Sequence, residues 1–403
     1  MYQSELEKFI NEHIVDRDRS ICYADIEAFN DELTQAIRGK SFLVIGGAGT
    51  IGSSYIKAIV PFGPARITVV DYNENGLTEI IRDLRSTPGL NVPKDILTYA
   101  FDFGSPMLRK LFDKDPFDTI ACFAAHKHVR SEKDVIAIEA MVTNNLFNTR
   151  QLLELATEFT PEHFFAVSTD KAANPVNVMG CTKKFMENLL LAYSSKLNIT
   201  TARFANVAFS NGSLLDGFNK RFANAQPLTA PKDVKRYFVT PAESGHICMM
   251  ASLLGESSDI FFPKLNEEGM KSFSEIADAY LHQLGYAPEY SQSEDEAKDK
   301  AADWKSSDKS YPVYYFDSDT SGEKPFEEFF TQREELDVMK FDSLGVIKNS
   351  HKPSIDEISQ QLESLKNLFR TSNLSKDKLV GFLKECIPDF EHIETGKNLD
   401  SKM

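Results

Sequence analysis

The chain predicts an α/β fold: a Rossmann-like, doubly wound parallel sheet with a smaller C-terminal lobe and helical extensions at both ends. Short apolar runs of strand length recur at 42–45, 67–70, 119–123 and 164–167, and helical stretches fall between them. The first run leads straight into Gly46-Gly47-Ala48-Gly49-Thr50-Ile51-Gly52, a glycine-rich turn with a strand before it and a helix after it.

Taken in order, residues 1–40 carry apolar positions at helical spacing: Leu6, Phe9 and Ile10, then Ile26, Phe29, Leu33 and Ile37. That pattern predicts two amphipathic helices forming a packing or oligomer arm that ends at Gly39. The sheet domain spans 41–210, with helices expected at 51–60, 75–85, 106–113, 136–158 and 181–196. Past about residue 210 the alternation breaks into loops rich in Asn, Gly, Pro and Lys, which predicts a smaller lobe over 211–345. Within it, 291–310 is highly charged and poor in apolar groups, and reads as an exposed insertion. A helical tail over 346–403 resumes through Ile358, Leu362, Leu365 and Phe369 before turning polar.

Composition narrows the function. Sixty acidic against 45 basic side chains give a net charge of −15, which opposes binding to nucleic acid or an anionic membrane. The five cysteines, Cys22, Cys122, Cys181, Cys248 and Cys386, form no C-x-x-C pair, arguing against a zinc site or a disulfide framework. A charged N-terminus and the lack of a membrane-length apolar run predict a cytoplasmic protein.

The glycine turn suits a dinucleotide. Gly46 permits the tight turn, Gly49 lets the backbone approach a pyrophosphate, and Gly52 lets helix and strand pack closely. The helix N-terminus then offers free N–H groups and partial positive charge to the phosphates. Asp71 closes the second strand about where a carboxylate accepts hydrogen bonds from an adenosine ribose. The following Tyr72-Asn73-Glu74-Asn75 brings no cation to balance a 2'-phosphate, so the expected cofactor is NAD, held by the 41–210 domain. Asp102 and Phe103 are placed beside the adenine, and the small Ala124 and Ala125 permit close approach after the fourth strand.

Together with these turns, several strings make the chain resemble a known group: Ala124-Ala125-His126-Lys127-His128, Asn144, Ser168-Thr169-Asp170-Lys171-Ala172-Ala173-Asn174-Pro175-Val176-Asn177, Gly180-Cys181-Thr182-Lys183, Arg203-Phe204-Ala205-Asn206, Arg236-Tyr237-Phe238 and Gly322-Glu323-Lys324. The match, in order from about residue 40 to 345, is to the extended short-chain dehydrogenases that act as nucleotide-sugar 4,6-dehydratases, and most of all to the UDP-N-acetylglucosamine branch. The resemblance implies a lyase with bound NAD and an oligomeric assembly, a dimer or larger. It also implies that Met179 stands where these enzymes carry a tyrosine, as in members that retain C5 configuration, here without a membrane domain. Two strings depart from the pattern, Thr320-Ser321 before Gly322 and Ala205-Asn206-Val207-Ala208-Phe209, and both border the substrate in the family. They leave the nucleotide, UDP or GDP, open.

Roles follow from side-chain chemistry set against that reaction. Lys183 faces the nicotinamide ribose and supplies positive charge. Asp170 is assigned as the acid at the C6 hydroxyl, Lys171 as the base at C5, and Thr169 as a hydrogen-bond partner of the C4 oxygen. Methionine transfers no proton, so C4 deprotonation passes through Thr169, Asp170 or water, and Met179 fills the tyrosine's space. Asn174, Asn177, Asn206, Arg236 and Glu323 are assigned to the sugar and diphosphate, with His126 beside the sugar. No metal is expected. The rival reading on the same fold is a 4-epimerase or ketoreductase, which needs a proton shuttle at C4 rather than an acid–base pair.

Overall fold

The computed structural model describes residues 3–394 other than Thr320, Ser321, Glu323, Pro325 and Asn349. Six parallel strands form the centre: β1 (Ser41–Ile45), β2 (Arg66–Asp71), β3 (Asp95–Ala100), β4 (Thr119–Cys122), β5 (His163–Val167) and β6 (Ile199–Ala202). They lie in the order β3-β2-β1-β4-β5-β6, each burying nearly every residue except the half-exposed edge strand β3. Strand order reverses between β1 and β4, where Ile45 pairs with Cys122. Open sheets of this kind bind ligands at the carboxyl edge of that reversal.

The sheet does not stop at residue 210, which corrects the expected boundary of the sheet domain. Ile260–Pro263 joins parallel to β6, Leu344–Lys348 pairs antiparallel to Ile260–Pro263, and Glu335–Asp337, antiparallel to Leu344–Lys348, completes a nine-stranded sheet. Helix Pro241–Leu254 also returns to the first helix, Thr50–Ile59. Their backbones come so near that a Cβ on Gly245 would lie 2.2 Å from the Ser54 carbonyl oxygen.

The smaller lobe is built on three parallel strands, Leu228–Pro231, Ser310–Phe316 and Ala287–Tyr290. The charged segment forms helix Glu294–Asp303, capped by Ser293 and burying Ala297 and Ala301 against the lobe. Alanine at that spacing makes a narrow apolar stripe that the charge content conceals.

Both extensions pack on their own chain. The arm holds three helices, Gln3–His13, Tyr23–Ala28 and Asn30–Ile37, because the backbone bends at Phe29. Phe9 sets its ring edge-on to Phe209 and Tyr280 in the small-lobe core. Buried Asp25 accepts hydrogen bonds from the N–H groups of Asp342 and Ser343, pinning the arm to the far sheet edge. At the other end, Ile355–Phe369 and Lys376–Cys386 bury Ile358, Leu362, Leu365, Leu379 and Leu383 in one core with Cys181, Phe185 and Leu189 of helix Val178–Tyr193. Cys181 is thus a packing residue. Among the described residues, no helix is long and apolar enough to cross a membrane.

Candidate active site

The glycine turn fits a dinucleotide on its geometry. Gly46 has φ +74°, and a Cβ there would lie 2.6 Å from the Ala124 backbone nitrogen, so only glycine lets β1 and β4 close at the switch point. A Cβ on Gly52 would lie 2.4 Å from the Gly46 carbonyl oxygen. Gly49 differs: its nearest neighbour would be that same oxygen at 3.4 Å, so the space over it is open. Gly49 also caps helix Thr50–Ile59 with no side-chain bond, leaving the first-turn N–H groups, those of Thr50 and Ile51 among them, for an anion. Asp71 sits at the end of β2, accepting from the N–H of Ala48 (3.0 Å) and of Asn73 (2.9 Å). Its carboxylate keeps lone pairs for ribose hydroxyls.

After β5 the chain enters a 3-10 turn, Asp170–Ala172, with Thr169 as its N-cap. The Thr169 hydroxyl donates to Asp170 Oδ1 (2.6 Å), and Lys171 Nζ lies 3.3 Å from the same oxygen. A fourth group arrives from beyond Gly322: Glu327 Oε1 lies 2.8 Å from Lys171 Nζ and 3.4 Å from Arg236 Nε. Two carboxylates and two cations therefore interlock, with Asp170, Glu327 and Arg236 buried and Lys171 half-buried. Burial and the nearby Glu327 raise the Asp170 carboxyl above the usual range, against the pull of Lys171. Burial opposes the charge on Lys171, yet Asp170 and Glu327 outweigh it and push the ammonium up to about 12. Glu327 is lowered, its burial outweighed by Lys171 and Arg236.

These directions suit Asp170 as an acid, and they hold Lys171 protonated in the resting site, so a role as base requires that its proton leave first. Glu327 escaped the sequence reading because nothing in the local pattern places a residue of the far lobe against β5. The Gly322-Glu323-Lys324 string just before it was the available signal.

Helix Val178–Tyr193 starts at Asn177, whose Oδ1 accepts from the Gly180 N–H (2.7 Å) while its Nδ2 donates to the Gly322 carbonyl (2.8 Å). Asn177 thus brackets the helix start to the Gly322 segment, and it lines a small pocket with Lys171, Asn174 and Glu327. Met179 is 2% exposed and Lys183 3%. Lys183 donates to the Val167 carbonyl (2.6 Å), and burial lowers its ammonium to about 8 against the pull of Cys122 and Glu187.

The other expected residues separate by what they touch. Asn206 stands out: its Nδ2 is buried with no hydrogen-bond partner among the described residues, as a ligand-binding amide would be. Asn174 donates to Glu328 (2.8 Å) beside Lys171, and Arg236 is committed to Glu327 and to the Lys235 carbonyl. Asp102 accepts from the Gly104 N–H and from Asn148. Phe103 is buried in the core, so its ring does not flank the cleft as expected. Ala124 and Ala125 line the switch point half-buried. Exposed His126 follows, and burial of its ring lowers its pKa against a pull from Asp102. Its N–H donates to Asn145 Oδ1 (2.9 Å), and Asn145 returns a bond to the His126 carbonyl (3.1 Å). Asn145, not Asn144, is therefore the residue that fixes this loop, because the Thr143–Phe147 segment is a π-turn that shifts the inward face by one position. Asn144 donates to Asn145. Glu323 lies outside the described residues.

A cleft of about 570 Å³ at the opposite, amino edge of the sheet is lined by Ser41, Arg66, Asp118 and Glu162. It lacks the glycine turn and the coupled groups, so the chemistry belongs to the carboxyl edge.

Known proteins are similar to this chain. The chain is 30% identical over 261 residues to the probable polysaccharide biosynthesis protein EpsC of Bacillus subtilis, covering 64% of this chain and 43% of EpsC. It is 24% identical over 249 residues to an inverting UDP-N-acetylglucosamine 4,6-dehydratase of Campylobacter jejuni, covering 56% of this chain and 67% of that enzyme. It thus spans less than half the length of EpsC, and 38% of the capsular polysaccharide biosynthesis protein CapD of Staphylococcus aureus. Among solved structures, Pen from Bacillus thuringiensis matches with a TM-score of 0.62 at 19% identity, covering 81% of this chain and 98% of that one, which shows the shared fold. The family described as "Polysaccharide biosynthesis protein" matches residues 42–349, and the chain belongs to it.

Proposed function

We propose that the protein is an NAD-dependent nucleotide-sugar 4,6-dehydratase that takes UDP-N-acetylglucosamine and retains configuration at C5. One observation carries this reading: the Asp170–Lys171–Glu327 cluster at the end of β5, on the same carboxyl edge of the sheet as the glycine turn. An elimination needs an acid for the departing C6 hydroxyl and a base for the C5 proton, while an epimerisation needs neither. When bound, NAD supplies the hydride acceptor.

The residues divide the remaining work. Thr169 holds the C4 oxygen through the hydroxyl it now donates to Asp170. Asp170, whose carboxyl burial and Glu327 raise above its usual range, is placed to give a proton to the C6 oxygen. Lys171, held as an ammonium in the resting site by its 2.8 Å contact with Glu327, is placed to take the C5 proton once its own proton has left. Asn206 supplies an unsatisfied amide donor to the sugar or diphosphate. Met179 occupies the phenol position, excludes water and leaves C5 to be reprotonated from one face. Retention follows from the resemblance at Met179, and the UDP-sugar from the relatives' stated substrate.

A second reading is a UDP-sugar 4-epimerase, since a UDP-glucose 4-epimerase of Rickettsia rickettsii is also similar, at 23% identity. Incubation with UDP-N-acetylglucosamine in deuterated water, followed by NMR, separates the two. The dehydratase yields a 4-keto-6-deoxy sugar carrying deuterium at C5. Accumulation of the C4 epimer with no loss of water would instead establish the epimerase.

A further inference from the structure

The family match ends at residue 349, yet the chain beyond it returns to the catalytic loop. After helix Lys376–Cys386 the tail lays two backbone donors on the loop that follows Asn174. Glu391 N–H donates to the Pro175 carbonyl and Ile393 N–H to the Val176 carbonyl, each at 3.0 Å. Between them His392 turns inward. Its Nε2 lies 3.8 Å from Glu132 Oε1, and both atoms are buried with no hydrogen-bond partner among the described residues. The other oxygen of Glu132 accepts from the Val178 N–H (2.5 Å), the first residue of the helix that carries Met179 and Lys183.

We propose that this tail is a strap for the catalytic loop, with His392 a positioning residue that acts through Glu132 on the N-terminus of helix Val178–Tyr193. The physical reason lies in the carboxylate. A buried carboxylate with one unmet oxygen rotates or draws in water unless a donor faces that oxygen, and His392 faces it. A fixed Glu132 fixes the Val178 N–H and favours the positive end of the helix. Asn177, one residue earlier, brackets the same helix to Gly322, ahead of Glu327. Tail, helix start and Glu327 segment thus converge on one short loop, and small errors of placement cost rate steeply when acid and base must act together.

The test compares His392→Phe, which keeps a ring and removes the donor, with His392→Gln, which restores one, and Ile393→Pro, which removes the N–H bonded to Val176. Amide exchange at Val178, thermal melting and steady-state turnover of UDP-N-acetylglucosamine are read on each. The strap requires exchange at Val178 about tenfold faster in His392→Phe and Ile393→Pro, kcat about tenfold lower with KM unchanged, and recovery in His392→Gln. Parental exchange at Val178 in His392→Phe overturns it. So do equal losses in the Phe and Gln variants, or a rise in KM with kcat intact. The turnover arm rests on the proposed dehydration, whereas amide exchange does not. If the parent protein leaves the sugar unchanged, the reaction reading fails and the exchange arm still decides the strap.

Discussion

Lys183 shows how burial turns an ordinary side chain into a titrating one. Its ammonium is enclosed between the Val167 carbonyl and the Met186 sulfur, and burial lowers it from 10.5 to about 8. If its charge orients the cofactor, kcat/KM of the free enzyme falls as pH rises through about 8. Stability moves the other way. Between about 8 and 10.5 the unfolded chain holds the proton that the folded chain has lost, so this group's contribution to stability rises with pH. Lys183→Arg keeps its charge throughout that window, so its pH–rate profile loses the alkaline limb even where its rate is lower. A limb that persists unchanged in the arginine variant assigns the titration to another group. Lys183 was legible from the Gly180-Cys181-Thr182-Lys183 string, whereas Glu327 was not. A carboxylate that reaches the site only through tertiary closure carries no local signature, and Asn145 was not singled out because it lies in a π-turn that a regular helical period does not anticipate.

Among elements, β1, β2, β4 and β5 were the most readable because each is apolar along most of its length, whereas β6 was not singled out because Thr200 and Thr201 fill its middle. β3 was harder, since its half-exposed residues mix Asp95 and Thr98 with apolar ones. The strands past residue 210 were missed for a different reason: Ile260–Pro263 and Leu344–Lys348 are apolar, but long irregular stretches separate them from the sheet they complete. The glycine turn was read correctly as a turn, and its glycines do different work. At Gly46 a Cβ would meet the Ala124 backbone at 2.6 Å with φ at +74°, so Gly46→Ala disrupts the switch point itself. At Gly49 the added methyl meets only the Gly46 oxygen at 3.4 Å and projects into the open space over the helix N-terminus. Gly49→Ala is therefore expected to melt within a few degrees of the parent while binding NAD at least about tenfold more weakly, because the pyrophosphate needs that space. Calorimetric titration with NAD checks this. Undiminished affinity in a folded Gly49→Ala protein would place the pyrophosphate elsewhere.

At the scale of the whole molecule, one buried ion network holds the layers together. Arg203, at the end of β6, is fully buried and pairs with Glu187 of helix Val178–Tyr193 and with Glu334, and it donates to the Phe329 carbonyl. Ser168, one residue before Thr169, donates to the same Glu187 (2.6 Å). The network thus clamps the segment that carries Glu327 to the sheet end that carries Asp170. Burial alone would raise the Glu187 carboxyl, but Arg203 prevails and lowers it from 4.5 to about 2. Because the folded value lies below the unfolded one, the stabilisation is complete above about pH 4.5 and is lost as pH falls toward about 2. Its size is about 3 kcal/mol, a large part of a stability of about 5–15 kcal/mol. Glu187→Gln leaves the Arg203 charge buried with only Glu334 opposite. The variant is expected to be less stable than the parent by about 3 kcal/mol near neutral pH, with the gap closing as both are acidified below pH 4.5. Denaturant unfolding at a series of pH values measures that gap, and a gap that stays constant down to pH 3 would remove the carboxylate from the account. Activity is expected to follow the same acid limb, since a clamp that loosens at its centre frees Glu327 from Lys171 before the sheet itself unfolds.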